Sequence, residues 1–326
     1  MRLIHIDDYD ERTMKLAKPV YDSQRRVLLS AEHRIHPKYL IRLKELGIRY
    51  LMVEDEASQG ITMEEMLDMP TWMDLIEVVR QFYQVAAEKK RLPLKELLAA
   101  TGKLLEELRH RPVLVPIPTA ALAAEWKLYA HVVNVTLLAV QVGKRMGYND
   151  LALRDLAVGC MLHDIGKMVA KEELMHPHAG FDLLRSNREV HLLSAHVAFQ
   201  HHEAWDGSGY PRKLEGDQIH EYAQICSVAD KFDHLTSDEL MAPHEALEVI
   251  MALSGSLLSL KAVDTFVKSV PAYPPGTKVK MHDGRLGIVT KIVHHMQRPH
   301  VRMLDTGETV ALEEQPSVMI REVVPV

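Results

Sequence analysis

Between residues 63 and 109 the apolar positions return with a helical period, with Leu75, Val78, Val79, Phe82 and Val85 among them, and the pattern breaks near Pro93. Residues 111–118 are punctuated by proline, which removes backbone donors and excludes regular helix, so this stretch reads as a linker. From 120 to 270 the period is helical almost throughout. After Pro271 it changes to short alternating runs. Residues 277–281 and 286–292 flank the turn His282-Asp283-Gly284-Arg285, and residues 301–304 and 309–312 flank Asp305-Thr306-Gly307-Glu308. Two glycine-bearing turns between alternating segments predict a small β-barrel or curled sheet of about five strands.

The first 60 residues mix both periods. Residues 17–21 and 27–29 read as strands around the polar turn Asp22-Ser23-Gln24-Arg25. A helix follows from Pro37, with Leu40, Leu43 and Leu46 on one face and Gly47 as its stop signal, and residues 48–53 return as a strand. The pattern thus predicts a mainly α chain in four parts. Residues 1–60 form an N-terminal α+β module and 61–119 a helical segment with linker. Residues 120–272 form a helical domain, and 273–326 a small β-barrel-like domain. No repeat recurs at solenoid spacing.

Composition narrows the function classes. With 39 Lys plus Arg against 45 Asp plus Glu, the formal net charge is −6. A chain of that sign is poorly suited to coating a nucleic-acid polymer through counterion release, so an anionic ligand must be drawn by local charge such as a metal ion. Cys160 and Cys226 lie in apolar helical patterns without partners at metal-site spacing, as expected of buried free thiols in a reducing compartment. No apolar run reaches the length of a membrane span and the first residues lack a signal-peptide profile, so a cytoplasmic location is expected.

The 19 histidines change the picture because several fall in groups. His131 lies on a predicted helix and shares a face with Val135 and Leu138. His163-Asp164 opens the string HDIGK, with Gly166-Lys167 behind it. His176 begins HPHAG, His201-His202 begins HHEAWDGSGYP, and Asp230 lies in SVADKFD. Singly, each is commoner as a packed or solvated residue than as a ligand. The stretch 206–211, with two glycines and a proline, must be a loop.

HDIGK followed by HHE-x-WDGSGYP resembles the signature of HD-GYP domains, a branch of the HD phosphohydrolase superfamily, over about residues 120–270. The resemblance implies a helical HD-type bundle and two divalent metal ions. His131, His163, Asp164 and Asp230 would hold one ion, and Asp164 would bridge to a second held by His176, His201 and His202. A carboxylate has two oxygens and can bridge, and neutral imidazoles fill the remaining positions. Nitrogen and oxygen ligands without thiolate suit iron or manganese and also accept zinc or nickel. Asp164 and Lys167 are the expected catalytic residues, the ammonium of Lys167 pairing with a substrate phosphate. Tyr210 and Asp233 join Lys167 as expected substrate contacts. The GYP loop would engage substrate or a signalling partner. His178, His191 and His196 receive no role.

Three departures from that family stand out. Only 13 positions separate His163 from His176, where family members carry a longer stretch ending in KPG. The basic pair expected after Asp230 as a dinucleotide clamp is replaced by Glu239 and Ala242. Lys127, one helical turn before His131, stands where members with a third metal have glutamate, which favours two ions over three. The resemblance implies a phosphodiesterase hydrolysing cyclic di-GMP to pGpG or GMP in bacterial signalling, acting alone or as a homodimer. The alternatives are a regulatory protein that keeps the cage with weak turnover, and a hydrolase of another cyclic dinucleotide or small phosphoester.

Overall fold

A computed structural model describes residues 1–22, 24–64, 66–88 and 92–324. Ser23 of the expected polar turn lies outside the described residues. The chain divides into two compact units. One gathers residues 1–66, 117–127 and 271–326, and the other comprises residues 67–116 and 128–270. The two ends of the chain thus belong to one unit, and the helical segment before the linker belongs with the main helical domain.

In the first unit, β1 (Arg2–His5), β2 (Lys15–Leu16) and β5 (Tyr50–Glu54) form an antiparallel sheet in the order β1-β5-β2. Strands β3 (Val20–Tyr21) and β4 (Val27–Leu29) pair as a separate ribbon, and α1 (Pro37–Glu45) lies between β4 and β5 in sequence. Gly47 follows α1 at φ +87°, a conformation that favours glycine, as the stop signal requires. Strand β1 carries no alternation long enough to announce itself.

The C-terminal strands are β6 (Lys278–Met281), β7 (Leu286–Lys291), β8 (His300–Met303), β9 (Thr309–Ala311) and β10 (Ile320–Val323). They form one antiparallel sheet in the order β10-β6-β7-β8-β9. The strand count agrees with the pattern, but the expected barrel does not form. β9 has only three residues before the chain enters a 3-10 turn at Leu312–Glu314, and among the described residues no pairing joins β9 to β10. Contacts across the length of the chain hold the unit together. Gly276, at φ +87°, approaches β1 so closely that a Cβ there would lie 2.5 Å from the Arg2 Cβ. The Arg302 guanidinium donates to the Ala57 and Gln59 carbonyls at 2.7 and 3.0 Å.

The second unit is helical: α2 (Met69–Ala87), α3 (Leu94–Arg109), α4 (Lys127–Arg145, from Leu128 onward in this unit), α5 (Asp150–Met161), α6 (His176–Arg185), α7 (Leu192–Gln200), α8 (Glu221–Ser237), α9 (Pro243–Ala252) and α10 (Leu260–Val267). Among its described residues no strand is formed, and its loops carry isolated bridges such as Asp206 to Glu215 and Ser254 to Leu258. Residues 130–143 of α4 are all buried, so this helix is surrounded rather than laid on a surface. Two long-range bonds tie α2 to it and to α5: Trp72 Nε1 donates to Asn134 Oδ1 at 3.2 Å, and the Tyr83 hydroxyl to the Met161 carbonyl at 3.1 Å. Cys160 and Cys226 are both buried free thiols. No helix among the described residues is long and apolar enough to cross a membrane.

Candidate metal centre

Helices α4 and α8 meet at His131. Its Nδ1 donates to Asp233 Oδ2 at 2.7 Å, and its Nε2 lies 3.0 Å from Asp230 Oδ1. Asp230 and Asp233 are three positions apart on α8 and so reach the same neighbour. The other oxygen of Asp233 accepts from Asn134 Nδ2 at 2.9 Å and from the Ser237 hydroxyl at 3.3 Å. Trp72 on α2 holds Asn134 in turn, so a polar chain runs from α2 through Asn134 and Asp233 to the His131 ring. Burial pushes the His131 pKa down, but the bonds to Asp230 and Asp233 outweigh it and raise the pKa well above the ordinary value.

The end of α5 delivers the next pair. His163 Nδ1 donates back to the Cys160 carbonyl at 2.7 Å, which leaves Nε2 as the lone-pair side of the ring. Asp164 follows, and a 3-10 turn at Ile165–Met168 carries Gly166 and Lys167. Gly166 is required for contact rather than for its torsion angles. A Cβ there would lie 1.9 Å from the His176 carbonyl and 2.7 Å from the Gly180 nitrogen. The glycine of HDIGK therefore lets the turn press on α6, whose first residue is His176.

His201 and His202 follow the end of α7, and their orientation is likewise fixed from behind. His201 Nδ1 donates to the Ala198 carbonyl at 3.0 Å, and His176 Nδ1 to the Glu173 carbonyl. The buried Glu203 carboxylate accepts from the backbone N–H groups of Arg212 and Leu214 at 2.7 and 2.9 Å, clamping the far end of the loop that carries Gly209 and Tyr210. At Gly209 a Cβ would lie 2.2 Å from the Ala204 nitrogen, so the loop folds back onto the histidine pair only with glycine here. The Tyr210 ring then stacks on His202, with centroids 4.8 Å apart and planes at 17°.

Together these segments bring Asp164, His176, His201 and His202 into one group, and His131, His163 and Asp164 into another. Within each, one ligand atom per residue lies within 4.8 Å of the rest. Asp164 belongs to both, and its oxygens face different rings. Oδ1 lies 3.4 and 3.7 Å from the Nε2 atoms of His176 and His201, and Oδ2 lies 3.6 Å from that of His163. With Nδ1 protons committed to carbonyls, the lone pairs of His176 and His201 Nε2 face each other at 3.2 Å. His163 Nε2 is fully buried without a hydrogen-bond partner, 3.6 Å from oxygens of Asp164 and Asp230. Lone pairs converging on carboxylates in a dry interior are costly unless a cation sits among them. The donor set is imidazole and carboxylate without thiolate, and it fits a divalent metal.

Charge follows the same logic. Burial raises the carboxyl pKa of Asp164, but the nearby imidazoles of His163 and His201 and the Lys167 ammonium hold it well below the usual range. Asp230 behaves likewise, with burial outweighed by His131 and His163. His202 is pushed down to about 2 by burial and then by His201 beside it, so its ring is neutral and available as a ligand.

All seven expected ligands, His131, His163, Asp164, His176, His201, His202 and Asp230, thus lie around one centre. Lys167 lies at its edge, partly exposed, with Nζ 2.5 Å from Asp164 Oδ2. Asp233 lies on the far side of His131 from the cluster. Expected as a substrate contact, it is almost fully buried with both oxygens bonded to side chains, and it faces His131 from behind. His178 pairs with Asp182 on the surface, and His196 packs on Phe181. The sequence reading missed Trp72, Asn134 and Glu203, whose partners are remote or are backbone amides. It also missed His234, whose position four residues after Asp230 was a usable helical signal.

Residues 128–235 match the HD domain family, a span that takes in every residue named here from His131 to His234. Among curated proteins, the chain is similar to cyclic di-GMP phosphodiesterase PA4108 of Pseudomonas aeruginosa, with 31% identity over 204 residues, 56% of this chain and 48% of the relative. It is also similar to a cyclic di-GMP phosphodiesterase of Thermotoga maritima, with 32% identity over 165 residues, 44% of this chain and 45% of the relative. A third is 3'3'-cGAMP-specific phosphodiesterase 2 of Vibrio cholerae, with 28% identity over 160 residues, 43% of this chain and 31% of the relative. The chain spans about half the length, or less, of these relatives.

Proposed function

We propose that this chain, which carries an HD domain with the HD-GYP signature, is a metal-dependent phosphodiesterase that hydrolyses cyclic di-GMP to pGpG or GMP. The observation that carries the reading is the shared carboxylate. Asp164 faces two groups of imidazole nitrogens with its two oxygens, which supports a bridge between two divalent ions. His131, His163, Asp164 and Asp230 would hold one ion, and Asp164, His176, His201 and His202 the other, with iron or manganese favoured by the donor set and zinc or nickel accommodated. When bound, such a pair of ions lowers the pKa of water and neutralises the phosphodiester oxygens.

The chain's own side chains do the rest. Backbone carbonyls behind His163, His176 and His201 fix their tautomers, so the rings present lone pairs without reorganising. Lys167 would offer its ammonium to a substrate phosphate as a point charge. Tyr210, held on His202 by the clamped loop, would form part of the substrate surface, and the same loop is where a signalling partner would engage.

A second reading, a regulatory protein that keeps the cage with weak turnover, is favoured by one observation. Glu239 is exposed just beyond the end of α8, and Ala242 caps α9, where a basic clamp was expected. The metal-loaded full chain incubated with cyclic di-GMP, 3'3'-cGAMP and cyclic di-AMP, with products resolved by chromatography, separates the readings. Cleavage of cyclic di-GMP that disappears in Asp164→Ala is the expected result. Cleavage of another member of the panel alone reassigns the substrate, and cleavage of none defeats the phosphodiesterase reading.

A further inference from the structure

His234 follows Asp230 by four residues on α8, so the two side chains share one face of the helix. The imidazole is half-exposed and lies against the centre, its ring 4.5 Å from that of His131 and tilted by 36°. Its Nδ1 donates to Asp238 Oδ2 at 2.6 Å, so Nε2 is the lone-pair side. That Nε2 lies 3.5 Å from Asp230 Oδ1, the oxygen that His131 Nε2 approaches at 3.0 Å and His163 Nε2 at 3.6 Å.

A surface histidine pairing with carboxylates four residues away on each side is common on a helix and needs no ligand. Two features separate this one from that case. Three imidazole nitrogens converge on one carboxylate oxygen, and one of them, His163 Nε2, is fully buried without a hydrogen-bond partner. His131 and His234 also share one construction, with a carboxylate on Nδ1 and Nε2 aimed at Asp230, which is the arrangement that orients metal-ligating histidines. His131, Asp230 and His234 each place a ligand atom within 4.8 Å of the others.

We propose that His234 is an additional imidazole ligand of the ion position at Asp230, closing the side of that position nearest solvent. This deepens the reading of the centre given above and rests on it. The Asp230 position then has three imidazoles and two carboxylates, His131, His163, His234, Asp230 and Asp164. A ligand that closes the outer side takes a place otherwise open to water or a phosphate oxygen, so the ion is held more firmly and is less accessible.

The test is titration of the metal-stripped full chain with Co2+ alone, read by visible absorption and by bound cobalt after gel filtration. His234→Ala should weaken one of two cobalt sites at least tenfold, change the absorption band of that site and leave the other unchanged. Added free imidazole should restore the band in His234→Ala, which a merely structural role would not allow. Asp238→Asn should weaken the same site, on the order of tenfold, by releasing the Nδ1 proton. His131→Ala serves as the reference for losing that site. An isotherm and spectrum for His234→Ala matching the parent, while His131→Ala loses a site, overturn the proposal and leave the metal centre standing. Failure of free imidazole to restore the band also overturns it. A parent chain that binds no cobalt defeats the metal centre and this ligand together.

Discussion

Replacing Asp233 by asparagine distinguishes a residue that touches substrate from one that aims a ligand. The carboxylate gives Oδ2 to His131 Nδ1 and Oδ1 to Asn134 Nδ2 and Ser237. An amide of the same shape has one acceptor and one donor end. With oxygen toward His131, its NH2 opposes the amide of Asn134. Turned over, its NH2 opposes the ring N–H of His131. Either way a buried donor loses its acceptor, at a cost of about 1–3 kcal/mol. Alteration of a carboxylate behind a metal-bound imidazole lowers metal affinity by roughly 10–100-fold, which at 1.4 kcal/mol per tenfold is about 1.4–2.8 kcal/mol and agrees with the hydrogen-bond cost. Asp233→Asn should therefore bind the ion at His131 more weakly, read as metal retained after dialysis against a buffered chelator series. Turnover at saturating metal should recover most of its parent value. Unchanged metal retention with a raised KM for the dinucleotide would refute the positioning role and restore the substrate contact.

Gly166→Ala should lose the ion held with His176, halving bound metal by elemental analysis, because its Cβ would lie 1.9 Å from the His176 carbonyl and α6 must retreat; full occupancy would refute the need for close approach. Glu203→Gln should speed hydrogen exchange across residues 206–214 without changing metal content, since one of two charge-assisted backbone bonds of about 1.5–3 kcal/mol is lost; unchanged exchange would count against the clamp. Burial raises the Asp55 pKa, but Arg2 and Ser58 outweigh it and depress it, so its stabilisation is present above about pH 4 and lost as pH falls through the folded value. Asp55→Asn, which leaves the almost fully buried Arg2 uncompensated, should cost about 3 kcal/mol at pH 7 and flatten the acid limb of the urea midpoint measured by circular dichroism; an acid limb equal to the parent's would refute the assignment. Glu239→Arg with Ala242→Lys should lower the KM for cyclic di-GMP by roughly two to four powers of ten at two contacts of 1.5–3 kcal/mol; an unchanged KM would show that the chain beyond α8 does not face substrate.

What the sequence disclosed about the centre was the part written in contiguous strings. His163-Asp164 and His201-His202 are neighbours in the chain, each immediately behind a helix end, so motif and helical period together located them. The support behind them left no such trace. Trp72 and Asn134 are 62 positions apart, and neither spacing nor composition connects them. Asp230 and Asp233, expected as metal ligand and substrate contact, lie three apart and share a helix face, and their spacing does not disclose that one faces the rings with its oxygens while the other braces His131 from behind. The same limit applies to the fold. Alternation and glycine turns located the C-terminal strands, whereas the union of both chain ends rests on Gly276 against Arg2 and Arg302 on the Ala57 and Gln59 carbonyls, contacts with no local signature.

The cage and the expected clamp differ in how far each can change independently. His163, Asp164, His176 and His201 are buried, and the three rings are anchored to carbonyls of their own helices or turns, so altering one disturbs backbone as well as ligand. Residues 239–242 follow the end of α8, where Glu239 is exposed and its side chain braces none of the ring anchors described above. If that stretch faces an anionic ligand, substitution there would change ground-state attraction without unsettling the ring anchors. On the proposed function, a chain of this design would drift in substrate affinity while its metal ligands stay in place. Metal content alone then says little about turnover, and KM and kcat must be read separately.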